Sequence, residues 1–125
     1  RCGSCEPFSG NNFLFPLSLG VLDILGVETL ILHLAEGIDE PSRAEFDALI
    51  NNDLIIDELV IIHGTALTSN EFEIMASVGA SLVWSPMSNL LLYGDTADIA
   101  AAKAAGVSIS VAPDWAPSGA KKCLA

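Results

Sequence analysis

Glu28-Thr-Leu-Ile-Leu-His33-Leu-Ala-Glu36-Gly37 is the stretch on which the reading of this chain turns. An apolar run, Leu30 to Leu32, ends in a histidine, and a glutamate follows three residues later. Short apolar runs bounded by turn residues read as buried strands of a parallel sheet. Such strands carry polar chemistry only where they end. A metal-ligand candidate, His33, and a proton-shuttle candidate, Glu36, therefore emerge together at what looks like the rim of an active site.

Downstream, the pattern repeats. Leu59 to Ile62 is a second apolar run that closes on His63-Gly64-Thr65. A third strand is expected at Ser81 to Trp84, leading into Ser85-Pro86-Met-Ser88-Asn89, and a fourth at Val107 to Val111, leading into Pro113-Asp114-Trp115. Helices are expected between them. Ser42 with Glu45 and Thr68 with Glu71 both fit the capping box, in which a helix-opening Ser or Thr and a Glu three residues on satisfy each other's backbone donors. Pro41 suits a helix start. Phe46, Leu49 and Ile50 form an inward stripe, and Leu67 with Phe72 fits a hydrophobic staple on the second helix. An alanine-rich helix, capped by Asp95 or Thr96, runs to Gly106.

Gly26-Val27, Gly79-Ala80 and Gly106-Val107 each separate a helix from a following strand, and Asp53-Leu54 sits near the matching place in the second unit. Steps of about 27 residues match one βα unit with short loops. This alternation demands parallel strands with right-handed crossovers, hence an α/β fold. His33, His63, Ser85 and Asp114 then all fall at or just past strand C-termini, the end at which α/β barrels and open parallel sheets gather functional residues. A lone buried histidine is more often a satisfied core residue. Four polar endings in register point to one shared site.

Composition narrows the function. The 125 residues include 16 acids against 5 bases, a formal net charge of −11, and such a surface repels phosphate backbones, so nucleic acid is not an expected partner. Hydrophobic residues make up 51% and mean hydropathy is +0.52. No window reaches the roughly 18 uninterrupted apolar residues of a membrane helix, so the apolarity is read as a deeply buried sheet or as surface that a partner covers. No membrane partner and no secretory leader are expected. Three cysteines are too few for a disulfide framework, which makes a reducing, cytoplasmic setting the default. Cys2-x-x-Cys5 is half of a zinc or redox motif without a second pair, and its plain reading is two thiols in a turn-rich end. A helix is expected over Leu17 to Leu25.

Two histidines and an aspartate from different strands suit zinc or another borderline divalent ion. Glu36 is placed to move protons beside them, because a cation pulls the pKa of its water toward neutrality and a nearby carboxylate can carry the proton.

His33-Leu-Ala-Glu36-Gly, Ile62-His63-Gly-Thr65, Ser85-Pro-Met-Ser88-Asn89 with Leu92-Tyr93-Gly94, and Pro113-Asp114-Trp-Ala-Pro-Ser118-Gly resemble, in this order, the amidohydrolase superfamily. The nearest branch is that of the cytosine and S-adenosylhomocysteine deaminases and the triazine chlorohydrolases. The resemblance covers roughly residues 27 to 123. It implies a (β/α) barrel of TIM type, with these four units as strands five to eight, the C-terminal half, and residues 1–26 as loop and helix leading in. It also implies one divalent metal, zinc before iron. His33 would bind it, Glu36 would shuttle protons, His63 would polarise substrate or steady the attacking water, and Asp114 would bind metal and take a proton. His63, Ser85, Ser88, Asn89 and Trp115 would contact substrate.

The resemblance departs in one respect. The superfamily's His-x-His after the first strand is absent, since the two histidines are both already assigned. The leading expectation is a metal-dependent hydrolase acting on C–N or C–Cl bonds of small, N-heterocyclic substrates. The alternatives are a catalytically incompetent half-barrel and a thiol module built on Cys2 and Cys5. A half-barrel of four strands leaves an apolar inner face, with Leu30, Leu32, Ile62, Val83 and Ile109 as candidates. Self-association or membership of a longer polypeptide is therefore expected.

Overall fold

The structure is a computed structural model that describes residues 28–115 and Gly119. Cys2, Cys5, Cys123, Ser118 and the helix expected over Leu17 to Leu25 lie outside the described residues. The elements run β1 (Leu30–Leu34), α1 (Glu40–Asn51), β2 (Leu59–His63), α2 (Ser69–Val78), β3 (Ser81–Trp84), α3 (Pro86–Tyr93), α4 (Ile99–Ala105) and β4 (Ser108–Val111). The four strands form one sheet in the order β1-β2-β3-β4, every neighbouring pair parallel. This is the α/β architecture of a partial TIM barrel, each of the first three strands followed by a helical crossover to the neighbouring parallel strand.

Register separates the sheet's two faces. Leu30 pairs with Leu59, Leu32 with Ile61, Ile61 with Leu82, and Leu82 with Ile109, so these residues share one face. That face meets the helices, where Leu59, Ile61, Leu82, Phe46, Phe72 and Met75 are fully buried. Leu30, Leu32 and Ile109 pack against the same cluster, which corrects their expected place on the inner face. Ile31, Val60, Ile62 and Val83 form the opposite face together with His33, Ser81 and Ser110. Only Ile62 and Val83 of the five expected residues are there. Continuous apolar runs suit either face, so the sequence alone leaves this phase undetermined.

The helix starts show where local signals prevail. At α2, Thr68 donates from its backbone N–H to Glu71 Oε2 at 2.7 Å and from its hydroxyl to the same oxygen at 2.6 Å. Leu67 and Phe72 are both buried beside it, and Gly79 closes the helix in the left-handed conformation. At α1 the cap is Asp39, whose carboxylate accepts from Ser42 N–H at 3.1 Å and from its hydroxyl at 2.5 Å. Those donors hold the Asp39 carboxyl below its ordinary value. Pro41 lies in the first turn as expected, but Ser42 and Glu45 form no capping box, because Glu45 is engaged elsewhere. Ile50 is exposed at 41% rather than inward.

Two further corrections concern the C-terminal units. Ser85 to Asn89, expected as a loop, opens α3, with Ser85 as N-cap and Pro86 at the first turn. The cap of α4 is Asp98, which accepts from Ala101 N–H at 2.9 Å. Asp95 and Thr96 lie upstream of it, where Thr96 Oγ1 accepts from Trp84 Nε1 at 2.7 Å and ties the connection to β3. Among the described residues no helix is long and apolar enough to cross a membrane.

Candidate metal centre and hydrolytic site

The C-terminal ends of β1, β2 and β4 open into one cleft. It has a volume of about 520 Å³ and is lined by His33, Glu36, His63, Asp114 and Trp115. His33, His63 and Asp114 each offer one ligand atom, and these atoms lie within 4.8 Å of one another. His33 Nδ1 stands 3.1 Å from His63 Nε2, and the two rings are tilted by 52°. Glu36 Oε1 lies 3.7 Å from His63 Nε2.

Strand alternation by itself would keep the histidines apart. Leu34, not His33, pairs with His63, so the two start out of phase across the sheet. The backbone brings them together. His63 adopts φ 79°, Ala35 φ 52° and Asp114 φ 61°, three of the four non-glycine residues with positive φ among those described. A non-glycine residue held there costs on the order of 1–3 kcal/mol and persists only where its surroundings enforce it. Here the enforcing contacts are visible. Gly64 N–H donates to Leu34 O and Ala66 N–H to Ala35 O, both at 3.0 Å, stitching the end of β2 to the end of β1. Gly64 has φ 62°, and a Cβ there would come within 2.9 Å of Leu82 Cδ1, so the turn requires glycine. Glu45 reaches across from α1 and accepts from Ala35 N–H at 2.7 Å, which fixes the turn between His33 and Glu36.

The donor set fits a divalent cation. Two imidazole nitrogens and a carboxylate are ligands of choice for zinc, and bond lengths near 2.0–2.1 Å put neighbouring ligands of a tetrahedron at about 3.3 Å. The 3.1 Å between the two histidine nitrogens is close to that spacing. His63 is buried at 1% exposure. Burial pushes its pKa below the ordinary histidine value, with Glu36 and Asp114 pulling it up and His33 pushing it down.

Ser85, Ser88 and Asn89, expected to contact substrate, are buried and are not among the residues lining the cleft. Asn89 instead stands behind His63, its Nδ2 at 3.1 Å from His63 Nδ1. Trp115 is 65% exposed at the cleft wall. Sequence reasoning missed the Glu45–Ala35 and Asn89–His63 contacts, which join distant parts of the chain. It also passed over Tyr93 as a site residue. Burial and the negative charges of Glu36, Asp39 and Glu45 raise its phenol's pKa, although Tyr93 is not among the residues lining the cleft.

No protein-family profile matches the chain. Over 81 residues it is 31% identical to a 5-methylthioadenosine/S-adenosylhomocysteine deaminase from Halobacterium salinarum, covering 65% of this chain and 19% of that protein. A deaminase of the same name from Haloquadratum walsbyi is 32% identical over 89 residues, covering 62% and 20%. Among solved structures, a zinc-bound adenosine deaminase from Xanthomonas campestris superposes with a TM-score of 0.61 at 28% identity, covering 66% of this chain and 20% of that one. An atrazine chlorohydrolase from Arthrobacter aurescens, also complexed with zinc, shares the fold at 17% identity, with a TM-score of 0.59 and coverage of 66% and 20%. The chain thus spans about a fifth of the length of the curated relatives it matches.

Fold and site together define part of a TIM-type barrel with polar groups gathered at its strand C-termini. Its matched portion is similar to the corresponding part of these deaminases, in line with the resemblance to the amidohydrolase superfamily.

Proposed function

We propose that this chain carries part of a metal-dependent hydrolase that replaces an amine or a chloride on a small N-heterocycle with oxygen from water. The observation that carries the proposal is the convergence of His33, His63 and Asp114 within 4.8 Å, with Glu36 3.7 Å from His63. The named deaminases and the chlorohydrolase support the reaction class.

His33 and Asp114 would hold the cation, zinc before iron, with His63 at ligand distance or bonded to the attacking water. The cation would supply a water acidic enough to lose a proton near neutral pH. Glu36 would accept that proton, and the new C–O bond would form at the ring carbon. Glu36 would then return the proton to the departing nitrogen as the C–N bond breaks, releasing ammonia. A chloride would leave as the anion and need no proton. His63 would accept a hydrogen bond from the attacking water and so steady it, and Trp115 would offer a flat wall for the heterocycle.

A second reading, a half-barrel without activity of its own, has one specific support. Both histidines of the chain are in the cluster, so its residues hold no further His-x-His pair to complete the ligand set. We infer further that Ile31, Val60, Ile62 and Val83 are covered by additional strands, from a longer polypeptide or a second copy. Ile31 alone is 58% exposed, and parallel sheets are normally covered on both faces. Sedimentation equilibrium separates the sources: a dimer names the second copy, and a monomer that unfolds cooperatively contradicts the need for either.

The reaction itself is tested by incubating the zinc-loaded chain with amino- and chloro-substituted purines and triazines while measuring ammonia and chloride release. Turnover that Glu36→Gln reduces at least about 100-fold is expected, in line with general acid–base catalysis. Release unaffected by Glu36→Gln, or none with zinc bound, would refute the hydrolytic role of this cleft.

A further inference from the structure

We infer that Asn89 is a positioning residue for His63. Its carboxamide fixes which ring nitrogen carries the proton and so keeps the Nε2 lone pair turned toward the cleft. The inference rests on reading the cleft as a cation site.

Asn89 is held rigidly. It lies one turn into α3, where its N–H donates to Ser85 O at 3.2 Å. Its exposure is 0% and that of His63 is 1%, so water does not compete for the contact. The carboxamide nitrogen stands 3.1 Å from His63 Nδ1, and Asn89 Oδ1 has no partner among the described residues. A half-turn about the terminal side-chain torsion exchanges nitrogen and oxygen with little change of shape. The oxygen then accepts from Nδ1–H, in place of the amide N–H donating to a bare Nδ1, and the cation reading of the cleft selects this orientation. With the proton fixed on Nδ1, Nε2 is left as a bare donor atom, 3.1 Å from His33 Nδ1. That is the state a cation requires of an imidazole ligand. It is also the state in which Nε2 can accept a hydrogen bond from the attacking water. A histidine whose outer nitrogen is satisfied in this way has its ring plane and tautomer set together.

Asn89 therefore acts through His63 without reaching the substrate. The resemblance alone had put it on the pocket wall.

The test uses the full chain labelled with ¹⁵N in histidine, which gives a simple spectrum because the sequence holds two histidines. Long-range ¹H–¹⁵N correlation reports the tautomer of each ring, and titration with zinc chloride alone reports affinity. In the unsubstituted chain His63 should show a single Nδ1–H tautomer, with or without zinc. Asn89→Leu should bring the two ring nitrogens of His63 toward averaged shifts and weaken zinc binding about 10–100-fold, with circular dichroism confirming a folded chain. Asn89→Asp keeps an acceptor and the side-chain shape, so it should retain the Nδ1–H tautomer, which covers the case in which the leucine variant fails to fold. An unchanged His63 tautomer in Asn89→Leu overturns the inference, as does loss of that tautomer in Asn89→Asp. If the tautomer responds as stated but even the unsubstituted chain ignores zinc, the cation site fails while the positioning role stands.

Discussion

Two helix starts in this chain have the same local signature and different fates. Thr68-Ser-Asn-Glu71 closes a capping box, with Glu71 accepting from Thr68 at 2.7 and 2.6 Å. Ser42-Arg-Ala-Glu45 has the same chemistry at the same spacing and forms none. Its glutamate accepts instead from Ala35 N–H at 2.7 Å, and Asp39, three residues before Ser42, takes over as cap. The difference lies outside either helix. Ala35 is fully buried with φ 52°, in the turn that separates His33 from Glu36, and its N–H needs an acceptor. Among the described residues no buried backbone donor outside α2's own cap is bonded to Glu71. A motif worth about 1 kcal/mol at a helix end yields to a buried backbone donor whose loss costs about 1–3 kcal/mol.

The comparison is open to attack, and the largest effect is expected at Glu45. Glu45→Ala should lower stability by about 1–3 kcal/mol and also weaken zinc binding, because the turn carrying Glu36 loses its anchor. Urea titration together with zinc titration checks both. A loss of stability with unaltered zinc affinity would confine Glu45 to the helix.

Thr68→Ala comes next, at about 1 kcal/mol and with no effect on zinc. An unchanged urea midpoint would show that the α2 box contributes nothing. Ser42→Ala should cost less, about 0.5 kcal/mol, because it removes one exposed hydroxyl bond to Asp39 at 2.5 Å and leaves the backbone bond that caps α1. Equal costs for the two variants would erase the distinction between the motifs.

The smallest expected effect is a pH dependence that only the site region should show. Burial lowers the pKa of His63 in the folded chain, so below the ordinary value of 6.5 the unfolded chain takes up the proton more readily. Stability should therefore be unaffected by this group above pH 6.5 and fall as pH drops below it, levelling off beneath the lowered folded value. Metal-free chain measured by urea titration should show this slope, and His63→Gln should flatten it. A slope of the opposite sign would mean that the carboxylates of Glu36 and Asp114 outweigh burial.

The same contrast explains what the sequence made legible. Strand positions could be read because apolar runs closing on His63 or Trp84 are local facts, and β3 spans Ser81–Trp84 as expected. Convergence of His33, His63 and Asp114 followed from the shared direction of parallel strands. The phase of the sheet could not be read, because Leu30 and Ile31 are equally apolar although one packs on the helices and the other is 58% exposed. Nor was α3 legible, because Ser85 to Asn89 reads as the loop after the strand; Ser followed by Pro is also a helix-opening pair, and that was the available signal. Glu45 on Ala35 and Asn89 behind His63 are tertiary contacts between residues 10 and 26 apart in sequence. No local pattern encodes them.

The central claim is that His33, His63 and Asp114 form a divalent-cation site. Equilibrium dialysis of the chain against zinc, with the bound metal counted, tests it most directly. One zinc per cluster is predicted, abolished by His33→Ala and by Asp114→Ala in variants whose circular dichroism is unchanged. A folded chain that retains no zinc, or one whose zinc survives both substitutions, would contradict the account.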